Sequence, residues 1–219
     1  MKKLFFLIAL LCFSTGVLVA QDEENPDKKK KNSDEIQTVA GDISHHGFHW
    51  GFSFTGTNIG DANEPALLIG GRLAWTINRV FALGFEGKGL IPSVTINNIS
   101  PDYQVRPLMG YGGFFIEPIL FSNKVVHATI PIATGSGWVG YVRDWNDERH
   151  LDLDDSGVID QYIFWYFEPG ANVEVNITRY FRVAAGVSYR YLPDFDLLNS
   201  AKKDFAGMNY SVMLKFGRF

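Results

Sequence analysis

Between Ile163 and Ile177 the chain alternates. Ile163, Trp165, Phe167, Ala171, Val173, Val175 and Ile177 share one parity, while Tyr166, Glu168, Gly170, Asn172, Glu174 and Asn176 share the other. A period of two marks a β-strand with one apolar and one polar face. At about fifteen residues the stretch far exceeds the usual strand of roughly 5–6, and it is long enough to cross a bilayer at a tilt. The same alternation defines segments at about 48–56, 66–77, 80–90, 108–121, 125–142, 162–177, 180–191 and 206–216. They predict an all-β protein, an eight-stranded antiparallel up-and-down barrel. The connections alternate in length: short near Asn78-Arg79, Ser122 to Lys124 and Thr178-Arg179, long over 57–65, 91–107, 143–161 and 192–205. A meander with tight turns on one rim and loops on the other gives this rhythm. Two of the turns are alike, since Thr76 to Phe81 (TINRVF) is echoed by Asn176 to Phe181 (NITRYF).

Alternation alone does not say which face is outside, because soluble and membrane barrels are both two-faced. The charges decide. The parity that holds Phe48, Trp50, Phe52, Phe54, Leu73, Trp75, Phe85, Phe114, Trp165 and Phe167 carries no charge in any segment, whereas the other carries Arg72, Glu86, Lys88, Glu117, Glu168, Glu174, Arg182, Arg190 and Lys215. So many large aromatics would overfill an eight-stranded lumen. Facing lipid, they explain the missing charges, since a basic residue at mid-depth costs roughly 2–4 kcal/mol. The barrel is therefore expected to be transmembrane, with the charges inside. Five are basic and four acidic, so they should pair and fill the lumen rather than line an open pore. The turn centres set Arg72 opposite Glu86, and Glu168 opposite Arg190. Inward glycines such as Gly51, Gly70, Gly84, Gly113, Gly135, Gly170 and Gly186 leave room for them. Pro118, Pro131 and Pro169 fall within strands, where each removes a ladder donor, so bulges are expected there.

The N-terminus changes the picture of where this barrel sits. Lys2 and Lys3 precede an apolar run from Leu4, and Leu18-Val19-Ala20 precede Gln21, the pattern of a secretory signal spanning 1–20. The unbroken apolar stretch is too short for a membrane helix of ~20 residues. Cys12, the single cysteine, lies inside it, so the exported chain has no disulfide, thiolate metal site or cysteine nucleophile. Residues 21–45, with Lys28 to Lys31, are charged and aperiodic, and read as a flexible lead on the periplasmic side. The barrel occupies 46–219. A formal charge of −4 with scattered basic residues argues against a nucleic-acid partner.

On these residues the chain resembles the small eight-stranded outer-membrane barrels of Gram-negative bacteria, the OmpA-like and OmpX-like barrel domains. Gln21 after the signal, the segment Gly110 to Pro118 and the aromatic terminus are similar to the variants of the Bacteroidetes. The resemblance implies an outer-membrane location with both termini periplasmic and four loops outside. It also implies insertion by the barrel-assembly machinery, which reads a last strand of alternating apolar residues and a terminal aromatic. Tyr210, Val212, Leu214 and Phe216 supply the alternation and Phe219 the terminus, although Phe219 is out of phase with the other four. Full-length OmpA proteins continue into a peptidoglycan-binding domain, whereas here the barrel pattern runs to the last residue.

Candidate chemistry is sparse. A lipid A deacylase needs a serine, a histidine and an acid on the lipid-facing outer rim. The nearest match, His127-Ala128-Thr129, has threonine for serine, points inward and follows a periplasmic turn. His45, His46 and His49 cluster at the start of the first strand but do not converge as three or four metal ligands. Asp152 to Asp160 (DLDDSGVID) opens like a calcium loop, yet Ile163 stands where the closing glutamate belongs. No catalytic residue, metal or cofactor is assigned, and no enzyme is expected. The expected role is structural or partner-binding in the cell envelope, including as an accessory subunit of a larger complex. Its partners would be outer-membrane lipids and a protein met through the loops, which a rigid scaffold presents. A lipid-modifying enzyme and a narrow channel are the alternatives.

Overall fold

The structure is a computed structural model that describes residues 44–60, 63–92, 105–143, 158–194, 197 and 200–219. The expected signal segment 1–20, nearly all of the expected lead 21–45 and most of the two longest connections, including Trp145 and Asp152 to Gly157, lie outside the described residues.

The strands are β1 (His46–Ile59), β2 (Glu64–Ile77), β3 (Phe81–Leu90), β4 (Val105–Leu120), β5 (Val126–Thr129), β6 (Ile132–Arg143), β7 (Val158–Thr178), β8 (Phe181–Arg190) and β9 (Gly207–Gly217). β5 and β6 are two halves of one strand, so eight strands run around the ring. Every neighbouring pair is antiparallel, and β1 pairs with β9 from His49↔Gly217 to Thr57↔Asn209, which closes the barrel. The fold is an eight-stranded up-and-down transmembrane β-barrel. Closure removes the free edges that an open sheet would expose.

Burial is inverted relative to a soluble protein. Along β1, Phe48, Trp50, Phe52 and Phe54 are exposed while His49, Ser53, Thr55 and Thr57 are buried. Trp165 is 66% exposed, whereas Glu117 and Arg190 are at 0% and Lys215 at 2%. An apolar coat is what lipid selects for the outer face, and it leaves the charged side chains to the interior, where they find partners.

Two expectations need correcting. The connection expected over 57–65 is not long: β1 and β2 continue until only residues 60–63 separate them, with Gly60 and Asn63 at positive φ closing the turn. The prolines do not create bulges. Ile119↔Thr129 and Ile116↔Ile132 share one register, as do Val126↔Val175 and Ile132↔Pro169, so pairing continues unshifted past Pro118, Pro131 and Pro169. The register shifts fall instead at Tyr141/Val142 and Asn176/Thr178. At two of the prolines the reciprocal bond survives: Ile130 N donates to Pro118 O at 3.0 Å, and Gly170 N to Pro131 O at 2.8 Å. The sheet loses a donor without losing its alignment.

Glycine is needed where two strands approach most closely face to face. Gly113 and Gly135 face each other across β4 and β6, and a Cβ on either would lie 2.6 Å from the other's Cα. A side chain there would force the two backbones apart.

Candidate functional site

The candidate site is the lumen, and strand parity builds it. β2 and β3 pair so that Arg72 stands directly opposite Glu86. Arg72 Nε and Nη2 donate to Glu86 Oε2 at 3.1 and 2.5 Å, while Nη1 reaches Glu117 Oε2 on β4 at 2.7 Å. The guanidinium also lies 4.0 Å over the Phe115 ring. Lys215 on β9 donates to Glu117 Oε1 at 2.8 Å and also to Glu174 Oε1 on β7. Glu174 is met in turn by His127 Nε2 at 3.2 Å and Arg182 Nη1 at 3.8 Å. In the other direction Lys88 spans Glu86, at 3.5 Å, and Glu168, at 2.6 Å.

Glu168 and Arg190 hold opposed positions on β7 and β8 but do not bond. Glu168 accepts from Lys88, from Ser188 Oγ at 2.7 Å and from Tyr111 OH at 3.1 Å. Arg190 donates through Nη1 to the same Tyr111 hydroxyl at 3.1 Å and through Nε to Phe205 O at 2.7 Å. Tyr111 therefore bridges the two. The physical reason is reach: Arg190 extends along the barrel axis toward the loops and leaves Glu168 to the lysine below. All nine charges thus belong to one chain of contacts, from Arg182 through Glu174, Lys215, Glu117, Arg72, Glu86, Lys88, Glu168 and Tyr111 to Arg190. Buried carboxylates need such saturation, since an unpaired ion in this setting costs several kcal/mol. A cavity of about 20 Å³ remains among Ser53, Thr55, Arg72, Glu86, Lys88 and Glu168, room for about one water.

Described residues fill the lumen toward both rims. Toward the loops, Ile59, Leu68, Leu90, Val105, Met109, Val139 and Phe164 form an apolar cluster with Leu192, Leu197 and Phe205 from the segment after β8. That segment is tied down by Gly60 N donating to Asp204 O at 2.8 Å and by the Tyr141–Ser200 hydroxyl contact. Toward the turns, Phe219 is buried, with the Arg182 guanidinium 3.9 Å from its ring centroid and the His49 ring at 4.8 Å. His45 Nε2 lies 2.9 Å from its carbonyl oxygen.

The remaining candidates take simple places. Tyr210 and Val212 are exposed on the outer face, and Leu214 and Phe216 share their outward parity. Phe216 stacks between Trp50 and Phe181 at 4.9 and 4.8 Å, whereas Phe219, one parity off, turns inward. His127 and Thr129 are buried in the lumen, away from the lipid-facing surface. His49 contacts Thr76 Oγ1 through Nδ1 at 3.2 Å, and His46 is exposed. Among the described residues no three His, Cys, Asp or Glu side chains converge as a metal site. Sequence reasoning did not single out Tyr111, Tyr166 and Phe115 as lumen filling, although their inward parity carried the signal, nor Phe164, which apolar neighbours flank on both sides. For Leu192 and Phe205, in an aperiodic connection, there was none.

No protein-family model matches the chain, and no curated protein matches its sequence. Solved structures do match. Neisserial surface protein A is 8% identical, with 78% of this chain and 96% of that one covered at a TM-score of 0.50. The attachment invasion locus protein Ail of Yersinia pestis is 12% identical over 78% of this chain and 95% of its own, at a TM-score of 0.45. The N-terminal β-barrel domain of Pseudomonas aeruginosa OprF is 10% identical over 77% and 96%, at 0.47. At such identity the likeness to Neisserial surface protein A speaks for the fold alone, that of a small β-barrel.

Proposed function

We propose that this chain is an outer-membrane barrel with an occluded lumen, serving the envelope as a structural or partner-binding scaffold rather than as a pore or an enzyme. The observation that carries this reading is the lumen, whose nine charges lie in one chain of contacts that Arg190 joins through the Tyr111 hydroxyl, with described residues filling it toward both rims. Among the described residues the filling leaves room for about one water, and His127 and Thr129 are buried inside it, away from the lipid-facing surface. The apolar exterior supports insertion, and the secretory pattern of residues 1–20 supports export to the outer membrane. In this reading the turn side and both termini face the periplasm, the lead 21–45 extends there, and the loops meet a protein partner outside. The assembly machinery would then read Phe216 with Tyr210, Val212 and Leu214. Relationship to the Bacteroidetes variants belongs to the same proposal.

The test has two parts. The chain refolded into vesicles should migrate differently on gels before and after boiling, and it should show no step conductance in planar bilayers. Unchanged migration together with a soluble periplasmic fraction would falsify the membrane assignment, and steady conductance would overturn the occluded lumen. Cross-linking through loop residues in native membranes should then capture a discrete protein.

A further inference from the structure

Each of the three tight connections on the turn side carries one basic residue and no acidic side chain, Arg79 between β2 and β3, Lys124 between β4 and β5, and Arg179 between β7 and β8, and Arg218 follows β9 at the same rim. All four are exposed, and among the described residues no carboxylate pairs with any of them. The opposite rim is mixed, with Glu64, Asp160 and Asp194 beside Arg106, Lys202 and Lys203. The four basic residues project from a stitched backbone. Asn78 N donates to His45 O at 2.7 Å, Gly217 N to Tyr180 O at 3.0 Å, Arg218 N to Phe48 O at 2.8 Å, and Asn176 Nδ2 to Lys124 O at 2.9 Å.

A second feature fixes the height of this collar. Every basic residue adjoins a residue with an exposed apolar side chain: Val80 beside Arg79, Val125 beside Lys124, Tyr180 beside Arg179, and Phe48, whose backbone carbonyl accepts from Arg218 N. Arg179 lies 6.0 Å over the Tyr180 ring. Charge at the edge of an apolar band is where long basic side chains snorkel to lipid headgroups, with aromatic rings lying at the same level.

We propose that this collar binds the phosphates of anionic phospholipids in the leaflet that surrounds the turn-side rim. The inference rests on the membrane reading above. Four unpaired cations around one rim produce a field that anionic headgroups lower by contact, and guanidinium groups hold phosphate through paired hydrogen bonds. A soluble polyanion would be met by charges raised clear of the apolar band, on polar surface. Here each charge sits beside a lipid-facing side chain, which favours the headgroup.

The experiment uses the full barrel in nanodiscs of phosphatidylcholine and phosphatidylglycerol in equal amounts, with retained lipids counted by native mass spectrometry. Insertion is scored separately by heat-modifiable migration. The wild type should retain phosphatidylglycerol over phosphatidylcholine by about threefold or more, a preference that salt weakens. The combined variant R79Q, K124Q, R179Q and R218Q should fall to parity, while the loop-side variant K202Q with K203Q should keep the wild-type ratio. An inserted wild type at parity, or an equal loss in the loop-side variant, overturns the collar and leaves the membrane reading standing. Failure to insert in any bilayer removes the membrane reading and the collar with it. Collar-dependent sedimentation with purified peptidoglycan, with no lipid preference, would reassign the ring to a soluble polymer and also overturn the proposal.

Discussion

The two halves of the lumen solve one packing problem with opposite chemistry. Near the turns, Arg72, Glu86, Glu117, Glu174, Arg182 and Lys215 fill the barrel with ions linked in one network. Near the loops, Leu68, Leu90, Val105, Val139, Phe164 and Phe205 fill it as the core of a soluble protein would. Tyr111 lies at the junction, its hydroxyl between Glu168 and Arg190 and its ring against Tyr166 at 4.8 Å. The difference shows that lipid dictates only the outer face. Inside, a filling serves that gives each charge a polar partner and leaves no void large enough to cost stability.

Removing one ion from the charged half should have the largest effect. Glu117→Ala leaves Arg72 and Lys215 facing each other without their shared acceptor, and should lower stability by about 3–5 kcal/mol. The denaturant midpoint of the refolded barrel measures this. A midpoint as high as wild type would mean that the charged half is not held by its pairing. Phe164→Ala in the apolar half should cost about 3 kcal/mol, with Phe164→Leu recovering most of it. If leucine recovers nothing, shape rather than apolar volume governs that half. At the junction, Gly135→Ala sets a methyl against the Gly113 backbone and should cost roughly 1–3 kcal/mol; a neutral result would show that the wall can open locally. Smallest is Phe219→Ala, which removes the ring under Arg182 and should cost about 1 kcal/mol. Its sharper readout is conductance, which should remain absent because the charged half still blocks the lumen.

Legibility followed locality. The outer face could be read along every strand because lipid tolerates no interruption, so Phe48 to Phe54 and Ile163 to Ile177 announce themselves. The charged residues were legible as the other parity. The loop-side filling was not, because Leu68 on the inner face neighbours Leu67 and Ile69 on the outer one, and Phe164 neighbours Ile163 and Trp165. Where both faces are apolar the alternation vanishes. The prolines misled for a related reason: a missing donor is visible in sequence, but the neighbouring strands that hold the register are not.

The chain by itself determined the strands, their order and the face each turns to lipid, since these follow from a period-two pattern and short turns. It also placed Arg72 opposite Glu86, a partner fourteen residues away across a tight turn. Tertiary structure decided the rest of the network. Lys215 finds Glu117 from 98 residues away, and Arg190 finds the Tyr111 hydroxyl from 79. Such meetings depend on barrel diameter and on how far each side chain leans along the axis. Those are properties of the closed ring, and no strand carries them alone.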